Sequence, residues 1–132
     1  MAQTKKILIA EDDELEQTFI RDGFLKSGKF EISGILPNGY RLLGELEKMN
    51  AEALPDVILS DINMPLMTGL EALVKVKKNP ALAGIPFVIF STSAEQTTKD
   101  TCMNLGADQF MAKPASFSEY ETFARKLHDS IK

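Results

Sequence analysis

The sequence predicts a doubly wound α/β fold, a parallel sheet with helices on both faces. Three observations carry this reading. Short, continuous apolar runs rich in β-branched residues recur along the chain, and such runs are strands covered on both sides. Amphipathic stretches at helical spacing lie between them, giving the order β-α five times over. The chain has 132 residues, 44% hydrophobic and 26% charged, enough to bury one core and unlike a disordered or low-complexity composition. One domain over residues 1–132 is expected, with no repeat, linker or internal boundary.

Taken in order, Ile7-Leu8-Ile9-Ala10 is the first strand, and Leu15, Phe19, Phe24 and Leu25 stripe the helix after it. Phe30-Glu31-Ile32-Ser33-Gly34-Ile35-Leu36 half-alternates and holds a glycine, which suits an edge strand. Val57-Ile58-Leu59 and Phe87-Val88-Ile89-Phe90 are central strands, and the short Phe110-Met111-Ala112 suits the other edge. Leu70, Leu73, Val74 and Val76 stripe the helix between the two central runs. The last and clearest stripe is Phe117, Tyr120, Phe123, Leu127 and Ile131. Helix starts of capping-box form stand at Thr68 to Glu71, Ser93 to Gln96 and Ser116 to Glu119. Pro55, Pro65, Pro80, Pro86 and Pro114 mark the joins.

Charge and cysteine usage exclude several classes. With 15 Lys+Arg against 19 Asp+Glu the net charge is −4, and the basic footprint that nucleic acid phosphates require is absent. No apolar run approaches the ~20 residues needed to cross a bilayer. The stretch that follows Met1 to Lys6 is too short for a signal peptide. Cys102, the single cysteine, cannot form an internal disulfide and fits a reducing compartment, so a cytoplasmic location is expected. One His and one Cys make no zinc set, and His128 falls near a helix C-terminus, where a cation is favourable.

In an open parallel sheet, ligands bind beyond the carboxyl ends of the strands. The residues that follow the central runs are Glu11-Asp12-Asp13, Ser60-Asp61 and Ser91-Thr92, and Lys113-Pro114 follows the last strand. Three acids (Glu11, Asp12 and Asp61), a hydroxyl (Ser91) and a lysine (Lys113) therefore converge. Clustered carboxylates repel and raise one another's pKa, and a hard divalent cation such as Mg²⁺ relieves this while leaving positions for phosphate oxygens. A lysine beside a metal-held carboxylate makes a site for phosphoryl transfer onto aspartate. Asp13, Glu14 and Glu16 have a simpler explanation, as acids facing water or capping a helix N-terminus.

These residues resemble the receiver domain of two-component response regulators along the whole chain. The likeness rests on Glu11-Asp12, on Asp61-Ile62-Asn63-Met64-Pro65 followed by Gly69, on Ser91-Thr92, and on Gly106-Ala107 and Lys113-Pro114. It implies a flavodoxin-like sandwich with strand order 2-1-3-4-5. Asp61 looks like the acceptor of a phosphoryl group from a sensor histidine kinase or phosphotransfer protein. Asp12, Asp61 and the Asn63 carbonyl would hold Mg²⁺, with Glu11 on a metal-bound water. Lys113 would pair with Asp61 and then with the phosphoryl group, Ser91 would move to bond it, and Phe110 would be the switch aromatic. The resemblance also implies a cis Lys113–Pro114 bond. The domain would catalyse its own phosphorylation and dephosphorylation without being an enzyme on a separate substrate.

Some residues depart from the family pattern. Glu11 stands where many members carry aspartate, Phe110 where tyrosine is frequent, and Thr92, often alanine, would narrow access to Asp61. The stretch after Lys113 has room for one helix, so no output domain is expected and signalling would run through protein contacts, as in small stand-alone receivers. The implied partner face is helix four, strand five and helix five, with Thr97, Thr98, Lys99, Thr101, Phe110, Ala115 and Tyr120, and homodimerisation on activation is one form its output could take. A phosphatase of the haloacid dehalogenase kind is disfavoured, since Asn63 occupies the place of its second acid. A receiver-shaped module that works without phosphorylation is the alternative, and an Asp61→Asn variant separates the two.

Overall fold

The computed structural model describes residues 3–131. Five strands form one parallel sheet: β1 (Lys5–Ala10), β2 (Phe30–Leu36), β3 (Val57–Ser60), β4 (Phe87–Ser91) and β5 (Gln109–Ala112). Their order is β2-β1-β3-β4-β5, with the two strands expected at the edges found there. Five helices alternate with them: α1 (Glu14–Ser27), α2 (Gly39–Lys48), α3 (Gly69–Lys78), α4 (Gln96–Asn104) and α5 (Tyr120–Ser130). Short 3₁₀ turns cover Ala51–Ala53 and Phe117–Glu119.

The pleat divides the core. Ile7, Ile9, Val57, Leu59, Val88 and Phe90 point to one face, under α1 and α5, where Ile20, Phe24, Tyr120, Phe123 and Leu127 cover them. Leu8, Ala10, Ile58, Phe87 and Ile89 point to the other, under Leu42 and Leu46 of α2, Leu73 and Val76 of α3, and Cys102 of α4. Because both faces are covered, the central strands read as unbroken apolar runs rather than alternating ones. Helix α4 is the most loosely attached: Cys102 is its one buried residue, and Glu95 at its N-cap makes no side-chain capping bond.

Several local expectations need correction. In α1 the buried side is Ile20, Gly23, Phe24 and Ser27, while Leu15 and Leu25 are exposed. The reason is the close crossing of α1 and α5: a Cβ on Gly23 would lie 2.5 Å from the Cβ of Tyr120, so Gly23 stands at the crossing with Ile20 and Phe24 on its side, and the leucines turn out. The Thr68–Glu71 capping box is reciprocal. Ser93 instead lies upstream of α4 with its hydroxyl 3.3 Å from that of Thr98. Ser116 caps the turn Phe117–Glu119, and α5 starts one residue later. Phe117 is not a core residue; it is exposed and stacks on Phe19, ring centroids 3.8 Å apart. His128 is buried, with Nε2 2.8 Å from the Gln3 carbonyl oxygen and its ring edge-on to Phe30. No cis peptide bond occurs among the described residues, so Lys113–Pro114 is trans, the isomer X–Pro bonds favour by default.

Candidate functional site

The carboxyl ends of β1, β3 and β5 bring Glu11, Asp61 and Lys113 together. Each follows its strand directly, and the register of β1 with β3 pairs Ala10 with Ser60, so the acids after them are neighbours. Carboxylate oxygens of Glu11, Asp12 and Asp61 lie within 4.8 Å of one another. The Lys113 ammonium bridges two of them, 2.8 Å from Glu11 Oε1 and 3.1 Å from Asp61 Oδ2. It also sits 4.9 Å from the centroid of the Phe90 ring, whose π face favours a cation.

Each acid is held in a different way. Glu11 is buried, its side chain 2% exposed, and its second oxygen accepts the Asp13 N–H at 3.1 Å. Burial pushes its carboxyl pKa up to about 7, against the pull of Lys113, and the nearby Asp61 charge raises it further. Asp61 Oδ1 accepts the Ile62 N–H at 2.7 Å, which leaves Oδ2 toward Lys113. Asp12 is exposed at the mouth of the cluster. Burial alone would pull the Lys113 ammonium down; the hydrogen bond it donates to Glu11 and the Asp61 charge more than reverse this and raise its pKa.

The loop after Asp61 is fixed from below. Gly69 N–H donates to the Ile62 carbonyl at 2.8 Å, and a Cβ at Gly69 would lie 1.9 Å from the Asp61 carbonyl oxygen. Only glycine lets α3 start this close to the loop that carries Asp61. At its tip Leu66 takes a left-handed backbone, φ 69°, and is 86% exposed.

The remaining sequence candidates surround the cluster without joining it. Ser91 ends β4, buried, its hydroxyl accepting the Ser93 N–H at 3.1 Å and its carbonyl the Lys113 N–H at 2.9 Å. Thr92 is exposed, as is Asn63. Phe110 is half-buried against the core that contains Leu8 and Ile89. Glu16 departs from expectation: it is half-buried and accepts the hydroxyl of Tyr120, which is itself fully buried and therefore not on the α4–β5–α5 surface. The Tyr120 pKa is raised by burial and by that carboxylate.

Sequence reasoning missed three contributors. The Glu11–Lys113 pair was hidden because Lys113 was matched to Asp61 alone. Phe90 was read only as strand core. The Glu16–Tyr120 bond had a signal, since a tyrosine on a core stripe needs a partner for its hydroxyl.

A family model for the response regulator receiver domain matches residues 7–125. The two-component response regulator ORR5 of Oryza sativa is 34% identical over 91% of this chain and 87% of its own length. A protein-glutamate methylesterase/protein-glutamine glutaminase of Clostridium acetobutylicum is 36% identical over 83% of this chain, which spans only 30% of that relative. Among solved structures, the phosphorylated cyanobacterial phytochrome response regulator RcpA superposes with a TM-score of 0.84 at 26% identity, covering 98% of this chain and 94% of that one. A response regulator receiver domain from Rhodospirillum rubrum gives a TM-score of 0.80 at 28% identity, covering 93% and 90%. With the fold, the strand order and the acid cluster beside these likenesses, the chain belongs to the response regulator receiver domain family.

Proposed function

We propose that residues 1–132 act as one phosphorylation-switched receiver, accepting a phosphoryl group on Asp61 from a sensor histidine kinase or phosphotransfer protein. The observation that carries this reading is the Lys113 ammonium held between Glu11 and Asp61, with Asp12 beside them. A purely structural ion pair needs one acid, whereas three acids around one lysine leave excess negative charge that suits a divalent cation. RcpA, whose structure is that of a phosphorylated regulator, lends further support.

The donor set fits Mg²⁺: the clustered groups of Glu11, Asp12 and Asp61 are all hard oxygens, and the Asn63 carbonyl, which the family resemblance implies, would be a fourth. When bound, Mg²⁺ neutralises the acids and polarises the oxygens of the incoming phosphoryl group. Ile62 N–H and Lys113 hold the two Asp61 oxygens and so aim the carboxylate. An Asp61 oxygen attacks phosphorus; the new P–O bond forms as the P–N bond to the donor imidazole breaks, and the leaving nitrogen takes up a proton. Lys113 stays with the charge as it moves onto the phosphoryl oxygens. Ser91 swings its hydroxyl from Ser93 N–H to a phosphoryl oxygen, and Phe110 turns inward behind it. Hydrolysis by water at phosphorus returns the carboxylate. Signalling then runs through a target protein on the α4–β5–α5 face, in the cytoplasm.

The test is intact-protein mass after incubation with acetyl phosphate and Mg²⁺, for the wild type and Asp61→Asn. One phosphoryl adduct that requires Mg²⁺ and is lost in the variant is expected. An Asp61→Asn chain that retains full output in its native pathway would instead identify a module that works without phosphorylation.

A further inference from the structure

We infer that Gln17 is the positioning residue of the metal-binding loop, clamping both carbonyls that flank Asp12. This deepens the reading of the acid cluster as an Mg²⁺ site and rests on it. Asp12 is exposed, and the direction of its carboxylate is set by the main chain on either side. Both neighbouring carbonyls end on one residue of α1. The Gln17 side-chain amide donates from Nε2 to the Glu11 carbonyl at 2.5 Å. The Gln17 main-chain N–H donates to the Asp13 carbonyl at 2.9 Å.

The rest of the loop is tied in consistent ways. Glu11 N–H donates to the Leu36 carbonyl at 2.9 Å, Asp13 N–H to Glu11 Oε2 at 3.1 Å, and Leu15 N–H to Asp13 Oδ1 at 2.9 Å. The main-chain bonds survive any side-chain replacement at position 17. The amide of Gln17 is the one tether of the Glu11 carbonyl that comes from a side chain, and the half-buried position shields it from competing water. Without it the peptide joining Glu11 to Asp12 gains freedom, and Asp12 must be ordered again when a cation binds. Groups that orient metal ligands without touching the metal typically hold 10–100-fold in affinity.

A plain helix-stabilising role would cost stability and leave metal affinity alone, so the test reads both. Mg²⁺ alone is titrated calorimetrically into the full chain at pH 8 for the wild type, Gln17→Met and Thr18→Ala. Methionine keeps the length and loses the donor. Thr18→Ala removes a comparable bond in the same turn, from Oγ1 to the Glu14 carbonyl at 3.1 Å. Gln17→Met is expected to bind Mg²⁺ about tenfold more weakly, with Thr18→Ala unchanged. In the wild type, the Gln17 side-chain amide resonances are expected to move during the Mg²⁺ titration, a readout that stands even if Gln17→Met does not fold. Affinity in Gln17→Met within twofold of wild type, equal weakening in Thr18→Ala, or amide resonances that stay still would each overturn the inference. Absence of Mg²⁺ binding by the wild type would overturn the metal site itself.

Discussion

Replacing Gly69 by alanine tests how tightly the fold and the acceptor loop are joined. The added Cβ would stand 1.9 Å from the Asp61 carbonyl oxygen, 2.9 Å from Ser60 Oγ and 3.0 Å from the Asp61 carbonyl carbon. Ordinary contact begins near 3.5 Å, so the start of α3 and the loop must separate by roughly 1.5 Å. None of the three obstacles is the free end of a flexible side chain: two are backbone, and Ser60 Oγ is bonded to the Asp61 carbonyl at 2.8 Å. Overpacking of this kind costs about 1–3 kcal/mol. The retreat also stretches the Gly69 N–H bond to Ile62, worth about 1 kcal/mol. Alanine returns at most ~1 kcal/mol through helix propensity. The expected net loss is therefore about 1–3 kcal/mol in urea unfolding, with slower labelling by acetyl phosphate because the Asp61 main chain moves. Gly44→Ala in α2 is the control, since its Cβ meets nothing within 4 Å, and a gain of about 0.4–1 kcal/mol is expected there. A Gly69→Ala protein as stable as wild type, or more so, would refute the steric argument.

Three further outcomes follow from the site and its loop. Lys113→Met leaves the buried Glu11 beside Asp61 without a cation; Glu11 then keeps its proton through neutral pH, and a loss of about 1–3 kcal/mol is expected by chemical denaturation at pH 7, growing as the pH rises and both acids ionise. In metal-free buffer, Glu11 holds its proton in the folded state up to about pH 7, above its ordinary value of 4.5, despite Lys113 and with Asp61 and Asp12 facing it. Its contribution is therefore fully present below about pH 4.5 and is lost as pH rises from there through 7; Glu11→Gln should flatten that slope in thermal melts between pH 4.5 and 7, and an unchanged slope would assign it to other groups. Leu66→Gly removes a left-handed backbone strain of about 1–2 kcal/mol for the modest entropic cost of glycine, so urea unfolding should show a net gain rather than a loss.

The sheet was legible because its grammar is local. Buried parallel strands must be continuous apolar runs, and Val57 to Leu59 and Phe87 to Phe90 could hardly be anything else. The position of the acids was legible for a topological reason: residues that end parallel strands share one edge, whatever the helices do. The phase of α1 was not, because its buried side is set by how closely α5 approaches at Gly23, a tertiary distance that no helical pattern records. The start of α4 was missed for a related reason. Ser93 has the right residue three places on, but its hydroxyl is engaged sideways with Thr98 and its N–H with Ser91. Within the site, residue types predicted which groups meet; how Lys113 divides itself between Glu11 and Asp61 depends on side-chain reach and burial, and needs coordinates.

The loose seating of α4 has a consequence for how such a protein can diversify. Cys102 alone of that helix is committed to the core, and burial pushes its thiol pKa up, keeping it an unreactive packing residue. Every other position of α4 can be rewritten at little cost to the sheet or the acids. The same helix makes little contact with the rest and should open ahead of the global transition, exchanging its amide hydrogens first. Substitutions confined to α4 can therefore alter one surface of the molecule while the geometry around Asp61 stays in place. A change of that surface and the upkeep of the acid cluster draw on separate residues.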